Sequence, residues 1–168
     1  MGFSQRMFAP VECVVPYADI SPAVACLAEP AGVAVDIIKT ANIQLGDTVA
    51  VVGPGPIGLM TIPLVLRSGA ASVACIGRKH SKRRLELAEE LGAHPIDCDG
   101  SLVDQKQLHQ RFDHVIVTAP VQVIPPALSL LKYGGELTYI GVSTGDSAIT
   151  FDANGFHFRK LPLRARFD

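Results

Sequence analysis

"TVAVVGPGPIG", Thr48 to Gly58, decides the reading of this chain. Its first part, "TVAVVG" (Thr48–Gly53), is an uncharged and mostly β-branched run, the composition of a strand covered on both faces. Gly53, Gly55 and Gly58 follow in G-x-G-x-x-G spacing, and Gly55 to Ser68 carries a helical pattern closed by Gly69. The spacing alone is a weak signal, and its position after a strand and before a helix strengthens it. It predicts a turn whose first glycine bends the chain tightly. The second glycine would admit a pyrophosphate against the backbone, and the third would let helix and strand pack closely. The helix that starts with Pro56, Ile57 and Gly58 would present free N–H groups to the phosphate charge. The plainer explanation is a tight strand–helix turn with no ligand.

The alternation continues outward from that turn. "SVACIG" (Ser72–Gly77) is a second apolar strand, and Ser81 stands where it would cap a helix running through Leu91, with Gly92 as the stop. "HVIVTA" (His114–Ala119) and "ELTYIGV" (Glu136–Val142) read as strands, and "LPLRARF" (Leu161–Phe167) as a candidate last one. Between them Val123 to Lys132 is expected to be helical, with Pro125 and Pro126 in its first turn and Gly134-Gly135 ending it. Strands separated by helices imply βαβ units and a parallel sheet, so the expected fold is a doubly wound α/β Rossmann domain. Ahead of it, "PVECVVPY" is a candidate strand, and "SPAVACLAEPAGVAVDIIKTA" a helix from about Ser21, kinked or split at Pro30. Pro63, inside the helix after the glycine turn, is expected to kink it.

At 168 residues, 48% hydrophobic and 18% charged, the chain has the size and composition of one globular domain. A formal net charge of -1 argues against a general nucleic-acid partner. Thr48 to Leu66 carries no charge and is nearly long enough to span a bilayer, but Gly53-Pro54-Gly55-Pro56 would break a spanning helix, so no membrane partner is expected. Cys13, Cys26, Cys75 and Cys98 form no C-x-x-C pair. His80, His94, His109, His114 and His157 stand in no ligand spacing and are expected on the surface or in loops. The first residues carry no apolar run that would serve as a signal peptide, and a reduced, cytoplasmic protein is expected.

One local feature departs from this neutral background. In "IGRKHSKRRL" (Ile76–Leu85) six of ten residues are Arg, Lys or His. The residue that would hold an adenosine ribose lies at the end of the second strand, about twenty residues past the glycine turn, where an NAD-binding domain carries Asp or Glu. Here Gly77, Arg78 and Lys79 occupy it, with no carboxylate between Val73 and Arg84. Gly77 would leave room for a 2′-phosphate and Arg78 would offer a planar fork of donors, which favours NADP(H) over NAD(H). Lys82, Arg83 and Arg84 are equally explained as the solvated face of a helix.

Together these residues resemble the cofactor domain of the zinc-type medium-chain dehydrogenases, the family of alcohol, sorbitol and threonine dehydrogenases. The resemblance runs in order through "GFSQRMFAP", "LAEPAGVAVDII", "LGDTVAVVGPGPIGLM", "RRLELAEELGA", "FDHVIVTA", "LLKYGGELTYIGV" and "LPLRARF". It implies that residues 1–20 are a segment left from a catalytic domain and residues 21–168 a dinucleotide-binding domain short of its C-terminal end. It implies that Thr118 and Ala119 flank the cofactor, and that Gly141 and Val142 lie near its nicotinamide end. Glu29 matches a carboxylate beside or on the catalytic zinc of sorbitol-dehydrogenase-like members; as a bare residue it reads as a helix-surface or capping carboxylate. The family's zinc cysteine, its "GHE" histidine segment and its structural-zinc loop are not found in this sequence. The expectation is therefore an NADP(H)-binding domain whose parent enzyme oxidises a small alcohol or polyol with zinc, and which alone catalyses nothing. The resemblance also implies a homodimer formed at the late sheet edge. A zinc-independent quinone-reductase-like enzyme and a non-catalytic NADP(H)-sensing module are the alternatives.

Overall fold

The computed structural model describes residues 4–141 and 145–165. Six strands, β1 (Thr48–Val52), β2 (Ser72–Gly77), β3 (His94–Asp97), β4 (Phe112–Val117), β5 (Leu131–Tyr139) and β6 (Leu163–Ala165), form one sheet. All neighbours are parallel and the order is β3-β2-β1-β4-β5-β6. The chain builds outward from β1 to β3, then returns to the other side of β1 and builds outward again. That reversal separates the connections leaving β1 and β4, and a crevice opens at their C-terminal ends.

Why β1 has no polar alternation is plain from its surroundings. Val49 and Val51 pack into a cluster with Ile37 of α2 (Ala28–Ala41), Ile62 and Val65 of α3 (Pro56–Arg67), and Leu85 and Ala88 of α4 (Lys82–Glu90). Ala50 and Val52 face the opposite side, against Ile124 and Ala127 of α5 (Ile124–Ala127) and Leu137 of β5. Both faces of the strand are buried, so an apolar residue is favoured at every position.

The other end of the sheet is tied by Asp113. Its Oδ2 accepts from the Thr48 amide, the Thr48 hydroxyl and Lys132 Nζ, each at 2.8 Å. Partial burial on its own raises the Asp113 pKa, but these hydrogen bonds outweigh it and hold the carboxyl below its ordinary range.

Several sequence expectations are corrected here. "PVECVVPY" is not a strand: Val11–Cys13 form a single 3-10 turn, and residues 4–20 are all exposed. The helix before β1 is two pieces, but the break falls between α1 (Pro22–Ala25) and α2 rather than at Pro30. Pro30 sits in the first turn of α2, where its missing N–H has no helical partner to lose. Pro63 does lie inside one helix, α3, from Pro56 to Arg67, as the sequence reading places it. Ser81 precedes α4 but makes no side-chain cap, because it ends a 3-10 turn with φ -94 and ψ 17 rather than the extended backbone from which a cap reaches the helix. The Val123–Lys132 helix shrinks to α5 with 3-10 turns on either side, and β5 already begins at Leu131.

Gly134-Gly135 therefore lies inside a strand rather than ending a helix. A Cβ on Gly135 would stand 2.9 Å from the Asp113 carbonyl, where the β4–β5 register shifts between Phe112 and His114. The sequence pattern does not foresee β3 or α6 (Ala153–Phe158). "HPID" is an exposed edge strand with a proline, and "ANGFHF" carries an Asn-Gly pair that suggests a turn. His114 is buried rather than exposed, its Nε2 2.9 Å from Asp47 Oδ2, and it pairs across the sheet with Glu136. The last strand is Leu163–Ala165, and the rest of its expected span falls outside the described residues.

Candidate cofactor site

At the end of β1 the chain turns on Gly53, whose φ of +111 is one that L side chains rarely adopt. The Gly53 amide donates to the Ile76 carbonyl of β2 at 3.0 Å, and the Gly53 carbonyl accepts from the Thr118 hydroxyl at 2.8 Å. The Thr118 amide in turn donates to the Val52 carbonyl at 3.0 Å. The turn is thus fastened to the strands on both sides of β1.

The three glycines have different roles. A Cβ on Gly55 would meet nothing within 4 Å, so this position opens onto free space. A Cβ on Gly58 would lie 2.1 Å from the Gly53 carbonyl oxygen and 2.8 Å from Thr118 Oγ1, so α3 is pressed onto the turn with no room for a side chain. Pro56 is exposed at the first position of α3 and has no N–H. The amides of Ile57 and Gly58 are therefore first-turn N–H groups that the helix itself leaves without an acceptor.

A cleft of about 620 Å³ lies over this turn. Gly53, Gly55, Thr118 and Ala119 of the sequence-predicted set line it, together with Gly77 and Arg78 at the end of β2. Lys79 does not join them. Its side chain lines a separate groove between α4 and β3, beside Glu86, Glu89 and Asp97, and its amide donates to Asp99 Oδ1 at 2.8 Å. His80, Arg84 and the buried Ser81, all outside the sequence-predicted set, line the cleft instead. No Asp or Glu lines it among the described residues. The signal that would find Arg84 is helical spacing. A 3-10 turn at Lys79–Ser81 runs directly into α4, which sends different members of the basic run to opposite sides.

Gly141 lies where the loop after β5 crosses the loop after β4: a Cβ there would stand 2.0 Å from the Ala119 carbonyl oxygen. Val142 falls outside the described residues. Glu29 is exposed in the first turn of α2, where a carboxylate suits the helix dipole. Among the described residues no group of three or more His, Cys, Asp or Glu is arranged to hold a metal ion, so Glu29 has no companion ligands here. Cys75 and Cys98 are buried, and burial pushes the Cys75 thiol up to about 11, away from the thiolate form a metal would take.

The family model described as zinc-binding dehydrogenase matches residues 56–166. This chain belongs to the zinc-binding dehydrogenase family. L-galactonate-5-dehydrogenase of Escherichia coli (strain K12) is 29% identical over 172 residues, covering 96% of this chain and 48% of that protein. L-threonine 3-dehydrogenase of Caldanaerobacter subterraneus subsp. tengcongensis is 43% identical over 132 residues, covering 75% of this chain and 37% of that protein. Among solved structures, a protein described as a zinc-binding dehydrogenase from Sinorhizobium meliloti 1021, bound to NADP, superposes with a TM-score of 0.78 at 27% identity. The match covers 88% of this chain and 45% of that one. This zinc-binding dehydrogenase chain spans less than half the length of these relatives. No helix among the described residues is long and apolar enough to cross a membrane.

Proposed function

We propose that this chain is the NADP(H)-binding domain of a zinc-type alcohol or polyol dehydrogenase. The observation that carries the reading is the wall of the cleft at the end of β2. Arg78, His80 and Arg84 line it with Ser81, and no carboxylate does among the described residues. A ribose 2′-phosphate adds about two negative charges and several acceptor oxygens, which guanidinium groups bind in paired, charge-assisted hydrogen bonds. A carboxylate in this wall would repel that group and would favour the free 2′-hydroxyl of NAD(H) instead.

The turn supplies the other half of the site. Gly55 leaves the backbone open to a pyrophosphate, and the amides of Ile57 and Gly58 stand at the N-terminus of α3 to receive its charge. When bound, such a cofactor supplies hydride exchange at its nicotinamide; the residues of this chain hold and orient it. The relatives named for sugar-acid and amino-acid alcohols support an alcohol or polyol as the substrate class. On this reading residues 1–20 belong with a catalytic domain, and the zinc ligands and most substrate contacts come from residues beyond this chain. Glu29 would join the metal only in that company.

The test is titration of the purified chain with NADPH and NADH, followed by calorimetry or nicotinamide fluorescence. NADPH is expected to bind at least about tenfold more tightly at low salt, with the margin shrinking as salt rises. Equal affinity for the two cofactors would overturn the assignment.

A further inference from the structure

The end of β2 holds a second discriminating device, and it is steric rather than charged. Gly77 has no strained backbone to explain its presence, since its φ is not in the left-handed region. It is nevertheless tightly enclosed. A Cβ at this position would lie 2.7 Å from Cγ and 3.0 Å from Cδ of Pro54, with Leu85 Cδ2 at 3.2 Å. Leu85 can yield by changing rotamer. Pro54 has only a change of ring pucker to give, because its ring is closed onto its own backbone nitrogen. Pro54 is also buried, and it sits between Gly53 and Gly55 in the turn that faces the open space of the cleft. A side chain at position 77 therefore presses on the turn through the Pro54 ring.

We infer that Pro54 sets what position 77 can accept: its ring crowds that position, and so keeps from this site the carboxylate that would hold a free adenosine ribose. This rests on the reading of the cleft as a dinucleotide site. It assigns Gly77 a role different from leaving space for a 2′-phosphate, because that space belongs to Pro54. The cations around the cleft favour the 2′-phosphate, and a proline on the neighbouring strand's turn guards the missing carboxylate at position 77. A change at position 77 alone would damage the turn that both cofactors share.

A stability cycle that needs no cofactor, followed by binding, tests this coupling. Gly77→Ala is expected to lower Tm by about 5 °C in the wild-type background and by less than about half of that in a Pro54→Ala background. Gly77→Asp should weaken NADPH and NADH together. Adding Pro54→Ala to it should raise NADH affinity by about tenfold over Gly77→Asp alone, while NADPH stays weak. An equal Tm loss in both backgrounds would overturn the inference, as would Gly77→Asp binding NADH equally well with and without Pro54→Ala. If the Asp variants do not fold, the alanine cycle still decides. Failure of the NADP(H) reading itself shows elsewhere, as equal wild-type affinity for the two cofactors, and leaves the steric coupling measured by the alanine cycle untouched.

Discussion

Gly55 and Gly58 belong to one motif, yet their substitution should fail in opposite ways. Gly55 has ordinary extended backbone, φ -77 and ψ 176, and a Cβ there meets nothing within 4 Å. Gly55→Val should therefore leave stability within about 0.5 kcal/mol, because a β-branched residue fits extended backbone and no neighbour is displaced. Gly58→Ala places a methyl 2.1 Å from the Gly53 carbonyl oxygen, far inside van der Waals contact, and the atom it meets belongs to backbone rather than to a movable side chain. Overpacking of this kind costs about 3 kcal/mol, and the better helix propensity of Ala returns about 1 kcal/mol. The net loss of about 2 kcal/mol corresponds to a Tm lower by about 4–8 °C in a domain of this size. The assay is thermal unfolding by circular dichroism beside cofactor titration for both variants. Gly55→Val should keep its Tm and lose on the order of a hundredfold in affinity for NADPH, since the side chain fills the space where the backbone would meet a pyrophosphate. Undiminished binding by Gly55→Val would refute the reasoning and leave the turn a purely structural device. So would a Gly58→Ala protein as stable as wild type.

Arg84→Ala and Arg78→Ala should each weaken NADPH by about 1.5–3 kcal/mol and NADH much less, whereas Lys79→Ala, in its separate groove, should leave both within about twofold; a Lys79 effect equal to that of Arg84 would show that the cleft wall is wrongly drawn. The Asp113 carboxyl is held below its ordinary range in the folded protein, so its contribution to stability is present above the unfolded-state carboxylate pKa and is lost as pH falls through the lower folded value. Asp113→Asn should accordingly lower Tm at about pH 7 and flatten the acid limb of the Tm–pH curve; an unchanged acid limb would exclude Asp113 as its source. Metal analysis and an assay against alcohols, polyols and aldehydes should find no stoichiometric zinc and no NADP(H) turnover by this chain, because a catalytic zinc usually takes three protein ligands and Glu29 is a single exposed carboxylate. One bound zinc per chain would reveal a ligand set that neither the spacing nor the fold discloses.

The sheet is legible in the sequence wherever burial on both faces leaves an unmistakable apolar run, as in β1, β2 and β4. It is illegible where the physics is set by position in the sheet. β3 is an edge strand and needs no apolar run, so "HPID" looks like a loop until its partner is known. Gly134-Gly135 signals a helix stop by local rules. In the fold Gly135 answers a close approach of two strands and Gly134 a φ of +75, neither of which a local window contains. The glycine turn is readable because Gly53 meets a backbone demand, a φ of +111, and Gly58 a packing demand, both at a fixed spacing. The cleft wall is readable only in part. Charge composition locates the basic run, but which of its members face the cleft depends on the 3-10 turn that rotates α4 relative to β2. His114 is misread for a related reason: its polarity suggests exposure, while the partner that lets it be buried, Asp47, comes from a distant part of the chain.

The alternation of glycine and proline in Gly53-Pro54-Gly55-Pro56 also bears on the entropy of recognition. Each proline fixes its own φ and narrows the backbone choices of the glycine before it. The two glycines, which would otherwise be among the loosest residues in the chain, thus enter any binding event with little freedom left to lose. A ligand meeting this loop does not have to order it, so ordering should subtract little from affinity, and association should proceed at the rate of a preformed surface rather than of a loop that must first find its shape.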